Sequence, residues 1–287
     1  MKTYPQISFT LALGLSLASF PAHAATIIRS AGGDATPASI AATRDLFRTD
    51  LGGGTTAGAN GSFGGARREI NWDGVPATFS APNNLPANFF NSNSPRGAVF
   101  STPGTGFMVS SATTDAGAGQ PAAANFGNIN AAYTGTFSTF TAQRLFTVLG
   151  SNILEVNFFL AGTATPATVS GFGAVFSDVD LQGSTTLQFF DAANASLGTF
   201  NVPTGTIASG SLSFLGVSFD AGERIGRVRI TNGNAALGAG VNDTSVTDLV
   251  VMDDFIYSEP SAVPEPSAML LGLSGLVALL GRRTRVR

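Results

Sequence analysis

From Tyr133 onward the chain breaks into short apolar stretches, each closed by Gly, Pro, Asn or Asp about every ten to fifteen residues. They cover 145–149, 153–160, 169–176, 185–190, 197–202, 211–219, 225–230 and 249–257. Apolar positions alternate at Val217 and Phe219 and again at Val228 and Ile230, the period-two signature of a strand. Asp191-Ala192-Ala193-Asn194 separates two such stretches and predicts a hairpin. No helical run intervenes, which argues against βαβ units. The spacing predicts an all-β fold, an antiparallel β-sandwich or jelly-roll-like body.

The first third reads differently. Residues 26–30 predict a strand. Thr36-Pro37 predicts an N-cap with proline at the first helical position, and Ile40, Arg44 and Phe47 follow at helical spacing, with Leu46 and Leu51 beside them. Gly52-Gly53-Gly54 stops this one short helix. The Gly-rich stretch 52–65 lacks a Gly-Lys-Ser/Thr ending and a βαβ setting, so it predicts a surface loop and not a phosphate cradle. Residues 67–72 predict a strand turned by Asp73-Gly74-Val75-Pro76. Residues 80–105 read as a long loop region anchored by Phe89-Phe90, with a short strand at 97–100. A soft boundary falls near residue 130. One domain is expected, with the N-terminal third wrapping or extending the sandwich.

Both ends carry a further apolar stretch. Met1-Lys2 precedes a mostly apolar 7–20, and Ala22-His23-Ala24 fits a small-x-small cleavage pattern. That order predicts a signal peptide over 1–24, with Ala22 and Ala24 at the cleavage site. At the other end Val263-Pro264-Glu265-Pro266-Ser267 precedes an apolar 268–280 and then Gly281-Arg282-Arg283-Thr284-Arg285-Val286-Arg287. The apolar run is short for a spanning helix of about 20 residues. With arginine stems reaching the headgroups it is expected to cross just far enough. The tail arginines favour a cytoplasmic end.

These ends resemble the PEP-CTERM sorting class of Gram-negative bacteria. The resemblance rests on Pro264, Glu265, Pro266, the apolar run, Arg282 and Arg283. It implies export by the general secretory machinery and transit anchored in the inner membrane. It also implies recognition by an exosortase-type membrane protease, then release or attachment at the cell surface, in an exopolysaccharide setting. The stretch 171–200 followed by Asp253-Asp254-Phe255 is also similar to bodies of this class, for which the resemblance implies no activity. The expected organisation is a signal peptide over 1–24, a β-sandwich body over 25–262 and a sorting segment over 263–287.

Composition narrows the chemistry. The chain has no cysteine, and its one histidine (His23) and one lysine (Lys2) fall in the signal segment. The body is therefore without Ser-His-Asp or Cys-His nucleophiles, lysine Schiff bases and His- or Cys-ligated zinc. Acidic residues outnumber arginines in the body, so a basic nucleic-acid footprint is absent. What is left is carboxylate chemistry and hard cations bound by oxygen.

Two acidic pairs are the candidate metal ligands. Asp178 and Asp180 close a predicted strand, and Asp253 and Asp254 sit inside the last one. Calcium takes six to eight oxygens, commonly from carboxylates at strand ends and loops. The competing reading makes Asp178 and Asp180 turn caps. It leaves one of Asp253 and Asp254 facing solvent, because strand neighbours point to opposite faces, and pairs the other with Arg224, Arg227 or Arg229. Trp72, the sole tryptophan, is expected in the core or a loop. No carboxylate pair sits in a glycosidase motif, so no catalytic residue is assigned. The leading expectation is a non-enzymatic surface or extracellular-matrix protein of structural or adhesive role, with no cofactor other than a candidate calcium. The alternatives are a calcium-dependent carbohydrate-binding module and a carboxylate-based polysaccharide hydrolase or lyase.

Overall fold

A computed structural model describes residues 26–112, 115, 124–220 and 224–263. The signal and sorting segments, with Ala22, Ala24, Pro264, Glu265, Pro266, Arg282 and Arg283, lie outside the described residues. In chain order the elements are β1 (Thr26–Gly32), α1 (Ala38–Leu51), β2 (Ser62–Phe63), β3 (Arg67–Ile70), α2 (Phe89–Ser92), β4 (Ala98–Ser101), β5 (Gly106–Val109), α3 (Tyr133–Thr136) and β6 (Phe146–Leu149). There follow β7 (Ile153–Phe158), β8 (Ala167–Thr168), β9 (Gly171–Ser177), β10 (Thr186–Asp191), β11 (Ser196–Asn201), β12 (Leu212–Phe219), β13 (Ile225–Thr231), β14 (Val251–Ser258) and β15 (Ser261–Ala262).

The fold is an all-β antiparallel sandwich. The larger sheet runs β1-β12-β9-β14-β3-β2, with β6 pairing β14 and β5 pairing β6. The smaller runs β11-β10-β13-β7-β4, and β15 pairs β8 separately. The N-terminal third supplies strands to both sheets: β1 pairs β12, β3 pairs β14 and β4 pairs β7. No sheet divides at residue 130. The hairpin around Asp191 forms as read, joining β10 to β11. Phe107-Met108-Val109 make β5 just past the predicted loop region, a strand the sequence does not announce because its partners lie in β6, about 40 residues on.

Between the sheets lies a phenylalanine-rich core. Phe172, Ala174 and Phe176 of β9 and Leu215, Val217 and Phe219 of β12 meet Leu187, Phe189, Val228 and Ile230 of the smaller sheet. Trp72 is buried in this layer, stacked on Phe146 at 4.0 Å between ring centroids and edge-on to Phe90 and Phe255. Its Nε1–H donates to the Asp253 carbonyl at 2.6 Å, satisfying the one polar group of the ring.

The larger sheet is covered on its other face too. β9, β12 and β14 are buried at every residue, although the sequence of β12 shows only an alternating pattern. Ile40 and Phe47 of α1 supply part of the cover, packing with Val175, Phe214 and Ile256. Thr36 does not cap this helix; its hydroxyl donates to Asp34 Oδ1, and Pro37 occupies the cap position. Gly52 ends it at φ +82°, as its lack of a Cβ allows.

Gly173 and Gly216 lie directly opposite each other in the β9–β12 ladder. A Cβ at Gly216 would sit 2.6 Å from Phe47 Cγ, and one at Gly173 2.9 Å from Phe47 Cε1. The two glycines make a flat slot that the ring fills. Gly216→Ala is expected to cost about 1–3 kcal/mol through overpacking. In a Phe47→Leu background the penalty is expected to shrink, and a double-mutant cycle by urea denaturation reads the coupling.

Candidate metal centre

The site grows from the way three neighbouring strands end. Ser177, the last residue of β9, pairs with Leu212, the first of β12, and with Val251, the first of β14. The chain leaving β9 and the loops entering β12 and β14 therefore meet at one end of the larger sheet. Asp178 and Asp180 come from the first and Asp243 from the last. Each offers a carboxylate oxygen, and these oxygens lie within 4.8 Å of one another.

Asp178 is the inner wall. It is 0% exposed and holds φ +73°, a left-handed conformation that aspartate tolerates better than most residues. Its backbone N–H donates to the Ser211 carbonyl at 2.8 Å, so the turn is tied to the entry of β12. Its Oδ1 accepts the Gly210 N–H at 2.9 Å. Its Oδ2 is buried and has no hydrogen-bond partner. A buried carboxylate oxygen left bare costs energy that an apolar neighbour cannot return. Ser211 Oγ is also buried and unpartnered, and a Cβ added to Gly205 would come within 2.0 Å of it.

Asp180 and Asp243 form the outer wall, and their carboxylates lie close enough to repel each other. Asp243 Oδ1 accepts the Leu249 N–H at 3.0 Å. Asp248 stands behind them: its Oδ1 accepts the Asp180 N–H at 3.0 Å and its Oδ2 the Ser184 hydroxyl. Gly233 approaches the Asp248 carbonyl so closely that a Cβ there would sit 2.0 Å from the oxygen, which locks the loop behind the cluster.

Electrostatics follow from that crowding. Burial, and then the Asp180 and Asp243 charges, push the Asp178 carboxyl up to about 8. Burial and the Asp243 and Asp248 charges push Asp180 up to about 6. Burial raises Asp243 as well. Carboxyls that repel one another and lack a cation are relieved by a proton or by a metal ion. Asp178, Asp180 and Asp243 could thus hold a metal ion, and every donor they offer is oxygen.

Asp253 and Asp254 do not belong to this group. Both are buried, against the expectation that one faces solvent, because β14 is covered on both faces; a bulge between Met252 and Phe255 decides which side they take. The extra residue lets Met252 and Phe255 both point into the core, and the two aspartates share the other side. Asp253 Oδ2 accepts the Phe140 N–H at 2.6 Å, and Thr141 Oγ1 lies 3.2 Å from Asp253 Oδ1 and 2.9 Å from Asp254 Oδ1. Burial raises both carboxyls, and each feels the other. The nearby cations are Arg48 and Arg44, not the expected Arg224, Arg227 or Arg229. Arg227 and Arg229 instead bind Glu155, and Arg224 binds the Thr168 carbonyl at 2.8 Å. Arg48, Glu69, Arg96 and Asp254 line a separate cavity of about 380 Å³. Glu69 there is held by Arg48 and Arg67.

Asp243 and Asp248 escaped the sequence reading because they lie some 65 residues from Asp178 in a loop without a local motif. Their signal was positional: a loop entering a strand antiparallel to β9 must arrive at the end where Asp178 leaves it.

One proton on the Asp253–Asp254 pair stabilises the folded state at low pH and is lost as pH rises. The unfolded carboxyls titrate near pH 4 and the folded pair higher, so stability falls with rising pH above that value. Asp254→Asn, whose amide can replace the shared proton, is expected to give a smaller drop in melting temperature between about pH 5 and pH 8 than the parent. Thermal denaturation across that range reads it. No protein-family model and no curated protein sequence matches this chain.

Proposed function

We propose that this chain is an exported protein of the cell surface or extracellular matrix, non-enzymatic and adhesive, whose sandwich binds calcium through Asp178, Asp180 and Asp243. The observation that carries the cation is the Asp178 carboxylate, fully buried with one oxygen bare and two further carboxylates beside it. Calcium suits the donor set. It takes oxygen ligands at about 2.3–2.6 Å in flexible geometry, so oxygens within 4.8 Å of one another fit around one ion. Backbone carbonyls and water complete such a shell.

Support for export comes from the two ends: the signal-like 1–24 and the sorting-like 263–287, with an exosortase-type protease as the expected partner of Pro264-Glu265-Pro266. Among the described residues no helix is long and apolar enough to cross a membrane. Support for a non-enzymatic role comes from a body without His, Cys or Lys. It comes also from the glutamates Glu69, Glu155 and Glu259, each engaged by arginine.

Calcium is expected to raise the melting temperature. At a hundredfold excess over Kd the gain is about 2.7 kcal/mol, or roughly 5–11 °C for a body of this size. Asp178→Asn keeps an acceptor for the Gly210 N–H and removes a charge. It is expected to raise the melting temperature without calcium and to abolish the calcium response. Protons compete for the same carboxyls, so the calcium response should be nearly gone near about pH 5, clear near pH 8 and still growing above it. An unchanged melting temperature with millimolar calcium at pH 8 would sink the cation reading. For export, removal of 264–287 is expected to change where the protein accumulates, measured by fractionating cells and medium. Unchanged distribution would refute the sorting role.

A further inference from the structure

Beside the carboxylate cluster lies an open groove of about 630 Å³. Asp180 and Asp243 form part of its wall, so a cation they hold has a side turned toward the groove. Three carboxylate oxygens leave much of a six- to eight-oxygen shell for others to fill. Thr206, Ser209, Thr244 and Ser245 also line the groove. The hydroxyls of Thr206, Ser209 and Ser245 donate to no group among the described residues, so a ligand does not have to displace an internal bond to use them.

One of the four large exposed apolar side chains of the described residues stands here. Ile207 lines the groove and is 42% exposed, with Leu181 and Ala208 beside it in the lining. Charge selects further. The groove lining contains no arginine, and Asp248 adds a fourth carboxylate within electrostatic range of the other three. Two positive charges on calcium do not neutralise four carboxylates, so an anionic ligand is repelled. A neutral ligand with adjacent hydroxyls matches every feature: two oxygens for the cation, more for the Ser and Thr hydroxyls, and a C–H face for Ile207. Described aromatic stacking platforms are absent, since Trp72, Tyr133 and Tyr257 are all buried. The exposed Ile207 side chain takes that place.

We infer that this groove binds a neutral polysaccharide, whose vicinal diols complete the coordination of the cation held by Asp178, Asp180 and Asp243. The inference rests on the calcium reading above and adds the ligand to it.

The test is affinity electrophoresis of the exported body in gels containing galactomannan, dextran or xylan, with polygalacturonate as the anionic control, in calcium or in EDTA. Retardation by at least one neutral polymer in calcium, lost in EDTA, is expected. Periodate treatment, which cleaves vicinal diols, should remove it from that polymer, and polygalacturonate should not retard. Ile207→Ser with Ser209→Ala should weaken binding about tenfold or more while leaving the calcium-induced rise in melting temperature intact. Asp178→Asn should lose both. A normal calcium rise without retardation by any neutral polymer would overturn the ligand and leave the cation standing. Retardation that persists in EDTA, or that polygalacturonate shares, would also overturn it. Absence of the calcium rise itself would remove both readings.

Discussion

The structure depends on burying β9, β12 and β14 on both faces. A sandwich strand normally needs cover on one side only. Here the second cover comes from α1 and the loops over the larger sheet, and its requirements propagate outward. Gly173 and Gly216 lack side chains because Phe47 occupies that space. β14 carries a bulge because Met252 and Phe255 both have to reach the core. Any polar group placed on these strands is then cut off from water, as is Asp178 just past the end of β9.

That enclosure explains why the acidic residues behave as they do. Asp253 and Asp254 lie under the second cover, and the Phe140 N–H and the Thr141 hydroxyl satisfy them together with a proton. Asp178 lies just past the end of β9 and receives one backbone N–H. Its second oxygen is bare, and its nearest charged neighbours are other carboxylates. The same physical penalty, desolvation of a carboxylate, is met by a shared proton at one site. At the other it is left open, toward a groove. Left-handed backbone at Asp178 adds a local cost, and such costs concentrate where function needs a fixed geometry.

Much of the architecture was legible along the chain. The helix was written in Ile40 and Phe47 and in the glycines after Leu51, and the hairpin in Asp191 to Asn194. β5 was not legible, because four residues with a Gly at one end carry too little local signal without β6 beside them. Two of the three carboxylates of the candidate centre could be read, since Asp178-Val179-Asp180 interrupts an apolar run with two of them. Asp253-Asp254 drew attention for the same reason and led elsewhere. A bulge cannot be seen in a periodicity that it breaks by a single residue, and it reversed which way those side chains face.

The sequence by itself determined the fold class, because period-two apolar stretches closed by turn residues have few ways to bury themselves other than a sandwich. It also determined the chemistry available, since a body without His, Cys or Lys offers carboxylates and backbone oxygens whatever its shape. Only the tertiary structure decided which carboxylates meet. Strand pairing across some 65 residues brings Asp243 to Asp178, and the burial of Asp178 removes the water that would otherwise screen it from its neighbours' charges.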